Sequence, residues 1–256
     1  MITAGVDVGS ISAKAAVMKD NNILKTCVIL TGYNAQNAGK QVFDMVLSAL
    51  GMKASQIEKI VATGYGRNSI TYADKAVTEI TCHAAGANFL NPEVRSIIDI
   101  GGQDSKAIVI DGKGKVKDFA MNDKCAAGTG RFLEVMARAL EVDLDAFGDL
   151  SLSADHVASI SSLCTVFAES EVISLISKGE KRENIIAGIH ASIGSRVMAM
   201  GKRIGISAPI MMTGGVAKNI GVVKALEEKF NTSILVSENA QVNGAIGAAI
   251  IAASLN

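Results

Sequence analysis

The stretch ITAGVDVGSISAKAAVM, residues 2–18, consists of two short apolar runs separated by a turn at Gly9-Ser10. Apolar runs of this length, bounded by Gly, Ser or Asn, are typical of buried β-strands. A second turn is predicted at Asn21-Asn22, soon after the second run. The stretch therefore predicts a strand, a tight turn and a second strand at the start of the fold.

The same order returns in the second half of the chain as IIDIGGQDSKAIVI, residues 97–110. The two stretches match at Asp7 with Asp99, Gly9 with Gly101, Lys14 with Lys106, Ala15 with Ala107 and Val17 with Val109. A repeat of one supersecondary unit indicates two related halves. Because Pro92 lies just before the second copy, we predict two domains, residues 1–92 and 93–256.

Helical and strand patterns alternate around the two repeats. Apolar residues recur at helical spacing in segments 36–50, 79–89, 130–140, 167–178, 183–204 and 217–229, and the Ala-rich segment 243–255 predicts a buried helix. Short strands are predicted at 59–63, 209–213 and 233–236. Mixed strands and helices joined by glycine-rich turns are typical of an α/β architecture.

The composition excludes several classes of protein. The 256 residues include 25 basic and 25 acidic side chains, so the net charge of zero gives no general attraction to nucleic acid or anionic membrane. Hydrophobic residues make up 49% of the chain, which excludes a disordered or fibrous protein. The apolar runs are shorter than the ~20 residues that a membrane-spanning helix needs. With no secretory signal pattern, we expect a cytoplasmic protein that binds neither nucleic acid nor membrane.

Three glycine-containing turns follow apolar strands and suit the binding of a nucleotide. Glycine lets the backbone approach a phosphate closely, and the N–H groups of a tight turn point outward. The first turn contains Ser10, Ile11, Ser12, Ala13 and Lys14, the second contains Gly101, Gly102, Gln103 and Asp104, and the third contains Gly214 and Gly215. Asp7 and Asp99 each lie two residues before a turn's first glycine, where a carboxylate can hold hydrated Mg2+ between two phosphate-binding loops.

Neither a GxxxxGK[ST] loop nor a GxGxxG fingerprint occurs in its required strand-to-helix context, which disfavours the commoner nucleotide folds. The paired hairpins with strand-end aspartates, followed by a late Gly-Gly turn, resemble the actin-like ATPase superfamily, which includes sugar kinases and chaperone ATPases. The resemblance implies two ribonuclease-H-like domains with ATP and Mg2+ between them. It also implies a C-terminal helix that returns to the first domain.

The chain has four cysteines, and none lies in a CxxC pair, which disfavours a zinc finger or a cluster held by one chain. Cys125 and Cys164 are each predicted to stand immediately before a helix start, where the helix dipole favours a thiolate and metal ligation. A 4Fe-4S cluster needs four ligands, so two cysteines from each subunit of a symmetric dimer would meet the count. A lone cysteine is more often a small buried apolar residue, so the residues alone leave both interpretations open.

Longer motifs around these cysteines carry a more specific resemblance. MNDKCAAGTGRFLEVMA and SLCTVFAESEVISLISKG, with VATGYGRNS, IIDIGGQDSK and MMTGGVAKN, closely resemble the activator components of 2-hydroxyacyl-CoA dehydratases, a group that includes the ATP-binding subunits of benzoyl-CoA reductase. The resemblance implies an oxygen-sensitive homodimer in which Cys125 and Cys164 of both subunits hold one bridging 4Fe-4S cluster. ATP hydrolysis would then drive a single electron from the cluster to a partner dehydratase or related reductase, with ferredoxin or flavodoxin as the electron donor.

The resemblance also implies roles for individual residues. The phosphates would contact Ser10, Ile11, Ser12, Ala13 and Lys14 in the first loop and Gly101, Gly102 and Gln103 in the second, while Gly214, Gly215 and Gln241 would lie at the adenosine end. The predicted catalytic residues are Asp7, Asp99, Gln103 and Asp104, and the first two are also candidates for Mg2+ through water. Cys27 and Cys82 are interpreted as core thiols and His83 as a structural helix residue.

Two other functions are compatible with the same superfamily. A small-molecule kinase would need a base and a cleft for an acceptor hydroxyl, and no motif specifies them. A nucleotide-switched binding protein without redox chemistry would have both motif cysteines buried as packing residues. The acyl-CoA substrate of a partner enzyme is not encoded in this chain, because that specificity would lie on another polypeptide.

Overall fold

The structure is a computed structural model that describes residues 1–161 and 164–255. The first half forms β1 (Ile2–Val8), β2 (Ser12–Lys19), β3 (Asn22–Leu30), α1 (Ala35–Leu50), β4 (Lys59–Thr63), β5 (Lys75–Ala76) and α2 (Glu79–Leu90). The second half forms β6 (Ser96–Ile100), β7 (Ser105–Ile110), β8 (Val116–Asn122), α3 (Gly130–Ala139), α4 (Phe147–Leu152), α5 (Thr165–Ser177), α6 (Arg182–Arg203), β9 (Ile210–Thr213), α7 (Ile220–Phe230), β10 (Ile234–Val236) and α8 (Asn243–Ala252). Ser162 and Leu163, the first residues of the second cysteine motif, lie outside the described residues.

The two repeated stretches fold into matching antiparallel hairpins, β1–β2 and β6–β7. Asp7 lies opposite Lys14 in the first hairpin, and Asp99 lies opposite Lys106 in the second. The first sheet has the order β3-β2-β1-β4-β5, and the second has the equivalent order β8-β7-β6-β9-β10. In both sheets the hairpin strands are antiparallel, while the strands on the other side of β1 and β6 run parallel to them. This arrangement confirms the predicted α/β fold with two ribonuclease-H-like units.

Each sheet packs its helices around a separate apolar core. In the first half, α1 covers β1 and β2 through residues such as Val42 and Phe43. The second core is larger, because α3, α5, α6 and α7 all contribute buried residues next to β6 and β9. The predicted helices are present, with ends that differ by a few residues from the sequence pattern. We retain residues 1–92 and 93–256 as the proposed domains.

Helices α2 and α8 pack against each other, and α8 also covers β1, β2 and β4 of the first sheet. Their contact needs glycine, because a Cβ on Gly247 would overlap the Cys82 carbonyl oxygen and one on Gly86 would overlap that of Asn243. Burial in this contact raises the pKa of the Cys82 thiol to about 12, as expected for a core thiol. Cys27 is half-buried and packs against the first core. The close contact fixes the face that α2 turns towards the strand ends.

No helix in the described parts of the chain is both long enough and apolar enough to cross a membrane.

A buried histidine lies on α6 within the second core. His190 is 1% exposed, neither of its ring nitrogens has a hydrogen-bond partner among the described residues, and its ring meets Phe147 edge-on. Burial lowers the pKa of His190 to about 4. The side chain is therefore neutral in the folded protein at neutral pH, and it contributes to the core through van der Waals packing.

This histidine predicts an acid-dependent loss of stability. As the pH falls from 6.5 to about 4, the unfolded chain binds a proton that the folded chain does not, so the free energy of unfolding decreases by about 3 kcal/mol. His190→Leu should remove this part of the pH dependence, whereas His156→Gln, at a histidine whose side chain is 58% exposed, should keep it. Urea unfolding at neutral and acidic pH measures both variants. An unchanged pH dependence in His190→Leu would contradict the assignment.

Candidate functional site

The carboxyl ends of β1, β6 and β9 line one cleft of about 830 Å³. The cleft is lined by most of the residues predicted to bind nucleotide or to act in catalysis, namely Asp7, Ser10, Ile11, Ser12, Lys14, Asp99, Gly101, Gly102, Gln103, Asp104, Gly214, Gly215 and Gln241. Ala13 differs, because its side chain is fully buried in the first core. The three glycine turns therefore meet at one cleft between the two halves.

The two strand-end aspartates each pair with the lysine opposite them in the hairpin. Lys14 Nζ lies 3.5 Å from Asp7 Oδ2, and Lys106 Nζ lies 3.2 Å from Asp99 Oδ2. The second pair is more buried, since the Lys106 side chain is 1% exposed against 13% for Lys14. The repeat therefore preserves the ion pair, but Lys14 is the lysine that is more open to a ligand in the cleft.

Lys106 holds several carboxylates at once. Its Nζ lies 2.9 Å from Asp104 Oδ1 and 3.7 Å from Glu79 Oε2, in addition to its contact with Asp99. Burial acts to lower the pKa of Lys106, but these carboxylates outweigh burial and raise the pKa above its ordinary value. Lys106 is therefore a buried, charged group that fixes Asp99 and Asp104 of the second half and approaches Glu79 of the first.

The oxygens of Asp99 are already engaged within the protein. Thr213 Oγ1 donates to Asp99 Oδ1 at 2.8 Å, and Lys106 Nζ donates to Asp99 Oδ2 at 3.2 Å. Burial acts to raise the pKa of Asp99, but His83, Lys106 and the Thr213 hydrogen bond together hold it well below its ordinary value. Asp7 accepts no hydrogen bond from the described residues and contacts Lys14 at 3.5 Å, so it is the more available carboxylate for a hydrated cation.

His83, interpreted from the sequence as a structural helix residue, lies in the wall of the cleft. Its Nδ1 lies 3.1 Å from Thr213 Oγ1 and 3.3 Å from Asp99 Oδ1, and Asn243 Nδ2 donates to its carbonyl oxygen at 3.0 Å. A Cβ on Gly244 would lie 3.1 Å from His83 Nε2 and 3.0 Å from Asp7 Oδ2. His83 therefore connects α2 to the strand ends of the second sheet, and its ring lies beside Gly244, as the Asp7 carboxylate does.

The repeat extends to a third strand that the sequence comparison missed. Thr63 at the end of β4 lies beside Asp7, just as Thr213 at the end of β9 lies beside Asp99. Each threonine precedes a glycine with positive φ, 85° at Gly64 and 88° at Gly214. A Cβ at either glycine would overlap atoms of the neighbouring strand end. The Thr-Gly pairs in VATGYGRNS and MMTGGVAKN were the signal for this part of the repeat.

The second glycine turn is bound directly to the first turn of α3. Gly130 N–H donates to the Gly101 carbonyl oxygen at 2.9 Å, and Arg131 N–H donates to the Gly102 carbonyl oxygen at 2.8 Å. These donors belong to the start of a helix, where N–H groups have no partner within the helix. The loop and the helix are therefore linked by backbone hydrogen bonds.

Cys125 lies in the segment between β8 and α3. Asn122 Nδ2 donates to the Cys125 carbonyl oxygen at 2.8 Å, and Arg196 Nη1 lies 4.0 Å from Cys125 Sγ. The cysteine is half-buried and packs against the second core. Because α3 begins at Gly130, Cys125 does not directly precede a helix, and this part of the sequence prediction was wrong.

Cys164 is exposed and is the N-cap residue of α5, so this cysteine does stand at a helix N-terminus. Val166, Phe167 and Ile173 on the same helix are 65%, 68% and 56% exposed. Across the parts of the chain that the structure describes, no three His, Cys, Asp or Glu side chains are grouped to hold a metal ion.

Known proteins match this chain over nearly its whole length. The chain is 50% identical over 252 residues to the activator of lactoyl-CoA dehydratase from Anaerotignum propionicum, covering 98% of this chain and 97% of the relative. The crystal structure of component A of (R)-2-hydroxyglutaryl-CoA dehydratase from Acidaminococcus fermentans superimposes with a TM-score of 0.96 at 47% identity, covering 99% of this chain and 98% of that one.

A second solved structure is that of the activator of 2-hydroxyisocaproyl-CoA dehydratase from Clostridium difficile with bound ADPNP. It superimposes with a TM-score of 0.93 at 46% identity, covering 98% of this chain and 94% of that one. The model of the BadF/BadG/BcrA/BcrD ATPase family matches residues 4–252. This chain is therefore a member of the BadF/BadG/BcrA/BcrD ATPase family, as its motifs predicted.

Proposed function

We propose that this protein uses ATP hydrolysis to drive a single electron from a 4Fe-4S cluster, shared by a homodimer, to a partner 2-hydroxyacyl-CoA dehydratase or related acyl-CoA reductase. The observation that carries the proposal is the pair of backbone hydrogen bonds between the Gly101-Gly102 turn and α3, beside the Cys125 segment. These bonds connect a predicted phosphate loop to a predicted cluster ligand. The similarity to dehydratase activators over nearly the whole chain supports the same function.

The cleft suits ATP at its three glycine turns. Its volume of about 830 Å³ falls in the range of small-molecule sites, and the similar activator structure contains ADPNP. The first two turns would bind phosphate oxygens through backbone N–H groups, with Lys14 as a cation, while Gly214, Gly215 and Gln241 would contact the adenosine. Asp7 fits a hydrated Mg2+, since one carboxylate combined with substrate phosphates and waters is a common Mg2+ environment.

The two motif cysteines fit half of a cluster site. The exposed Cys164 and the half-buried Cys125 offer two sulfur ligands per chain, and a two-fold axis would supply the other two. Bound there, a 4Fe-4S cluster supplies one-electron redox chemistry. The exposed apolar side chains Val166, Phe167 and Ile173 on α5 would be covered in such a dimer, which agrees with the usual role of large exposed apolar patches.

The residues of this chain explain how the nucleotide would influence electron transfer. A change at the second glycine turn on ATP binding or hydrolysis would move the first turn of α3, because two backbone hydrogen bonds join them. The Cys125 segment precedes that turn and would move with it. The surroundings of a cluster sulfur control its reduction potential, so the proposed movement has a redox consequence.

The exposure of Cys164 argues against a nucleotide-switched binding protein in which both cysteines are packing residues. Ferredoxin or flavodoxin is the proposed electron donor, and the proposed location is the cytoplasm, where thiols are kept reduced. An exposed cluster of this kind would be sensitive to oxygen. The acyl-CoA substrate belongs to the partner and is left open by the proposal.

Replacement of the motif cysteines tests the cluster assignment. Cys125→Ser and Cys164→Ser should each abolish the visible iron–sulfur absorption after anaerobic purification, because each removes two of the four ligands of the dimer. Cys27→Ser is the matched control, since Cys27 packs against the first core and should leave the absorption unchanged. Iron and sulfide analysis with the wild-type protein should give about four irons per dimer. A full iron content in Cys125→Ser would exclude this ligand.

A proline at position 131 tests the proposed coupling. Arg131→Pro removes the N–H that bonds to Gly102, and proline is tolerated in the first turn of a helix. ATP hydrolysis should continue, while the ATP-dependent change in the reduction potential of the cluster should be reduced.

Arg131→Ala is the control for this proline, because it removes only the exposed ion pair with Glu134 and keeps the backbone donor. It should retain the wild-type ATP-dependent change in potential. Equal behaviour of the proline and alanine variants would contradict coupling through this bond.

A further inference from the structure

Glu79 is a carboxylate in the cleft that the sequence analysis did not single out. It lines the cleft, and its side chain is 21% exposed. Asp99 and Asp104 are held by Lys106 at 3.2 and 2.9 Å, whereas Glu79 Oε2 lies 3.7 Å from the same ammonium group. Glu79 accepts no hydrogen bond from the described residues, so its oxygens are available to a molecule in the cleft.

The position of Glu79 is fixed by the helix that carries it. Glu79 is the first residue of α2, and Thr78 caps the helix by accepting from the Thr81 N–H. His83 lies one helical turn later on the same face, where it contacts Thr213 and Asp99. The close contact of α2 with α8 limits movement of this face. Glu79 is thus presented to the cleft by a rigid element, as a catalytic group requires.

Glu79 lines the same cleft as both predicted phosphate loops. Lys106 connects it to Asp104 of the second loop, and the first-loop residues Ser10 and Lys14 line the cleft as well. If the two loops grip the phosphates of ATP, the terminal phosphate lies in this region. An attacking water would therefore lie within the space that Glu79 faces.

The surroundings of Glu79 also favour proton acceptance. Burial raises the pKa of Glu79 above its ordinary value, and the nearby Lys106 offsets this only in part. A carboxylate with a raised pKa is a stronger base than an exposed one. By contrast, Asp99 has a lowered pKa and both of its oxygens are engaged, which makes it a weak candidate for the same role.

We propose that Glu79 is the catalytic residue that orients and deprotonates the water attacking ATP. The water oxygen forms a bond to the γ-phosphorus, and the bond from that phosphorus to the β–γ bridging oxygen breaks, with its electron pair leaving on ADP. The proton lost by the water passes to the Glu79 carboxylate and then to inorganic phosphate or solvent. This inference rests on the proposed ATPase function and adds the residue that acts on the water.

Glu79→Gln tests the inference, because it keeps the size of the side chain and removes its basicity. Single-turnover ATP hydrolysis by the anaerobically purified protein should slow by about 100-fold or more. The Kd values for ADP and for a non-hydrolysable ATP analogue should stay within about threefold of wild type, since the phosphate loops are unchanged. Glu79→Asp should recover part of the lost rate, which a purely structural role would not produce.

Glu183→Gln is the matched control, because Glu183 is an acidic residue in the first turn of α6, outside the cleft. It should hydrolyse ATP at the wild-type rate. If the wild-type protein hydrolyses ATP and the rate of Glu79→Gln is within threefold of the wild-type rate, the role of Glu79 is overturned while the proposed ATPase function stands. Equal losses of rate and of nucleotide affinity would reassign Glu79 to binding. If the wild-type protein binds ATP but does not hydrolyse it, the proposed function and this inference both fail.

Discussion

The buried ion pair between Asp99 and Lys106 is the interaction on which the candidate site depends. It joins neighbouring strands of the second sheet, and Lys106 also holds Asp104 of the glycine turn and approaches Glu79 on α2. Breaking such a pair by removing one partner typically costs about 3–5 kcal/mol, because the other charge is left buried. The same group therefore fixes a strand end, a loop and a helix relative to one another.

The two halves share the same residue types at equivalent positions, but these residues have different roles in the site. Each half keeps an aspartate at a strand end, a lysine opposite it and a threonine on the parallel neighbour. In the second half these groups are buried and saturated, so they stabilise the site. In the first half Asp7 and Lys14 are less constrained, so they remain available for a cation and a phosphate. The asymmetry follows from hydrogen bonding and from the burial of the lysine, since Asp7 is buried as well. Thr213 and Lys106 donate to Asp99, whereas Asp7 accepts no hydrogen bond from the described residues.

The sequence predicted the fold because its repeat lies in the hairpins, whose short apolar runs and turns are local signals. It also identified the three glycine turns, which line the cleft. It did not place Glu79 and His83 in the site. Helical spacing predicts α2 but not which of its faces meets the strand ends, because that face is set by the packing of α8 against α2. The Cys125 segment shows the same limit. Apolar spacing marked the helix itself from residue 130, but a turn at Thr129 separates Cys125 from α3, and this turn has no apolar periodicity to reveal it.

The link between the glycine turn and α3 has a different physical basis from the rest of the site. It is made by backbone atoms at Gly130 and Arg131, so most side-chain substitutions there would preserve it. A Cβ on Gly130 would lie 3.2 Å from the Gly101 carbonyl oxygen, which makes this glycine the position where a side chain would disturb the contact. Residues whose side chains bind a ligand can be substituted when the ligand differs, whereas a backbone hydrogen bond depends only on the fold. A connection between loop and cysteine built in this way would persist while the surrounding residues adapt to different partners.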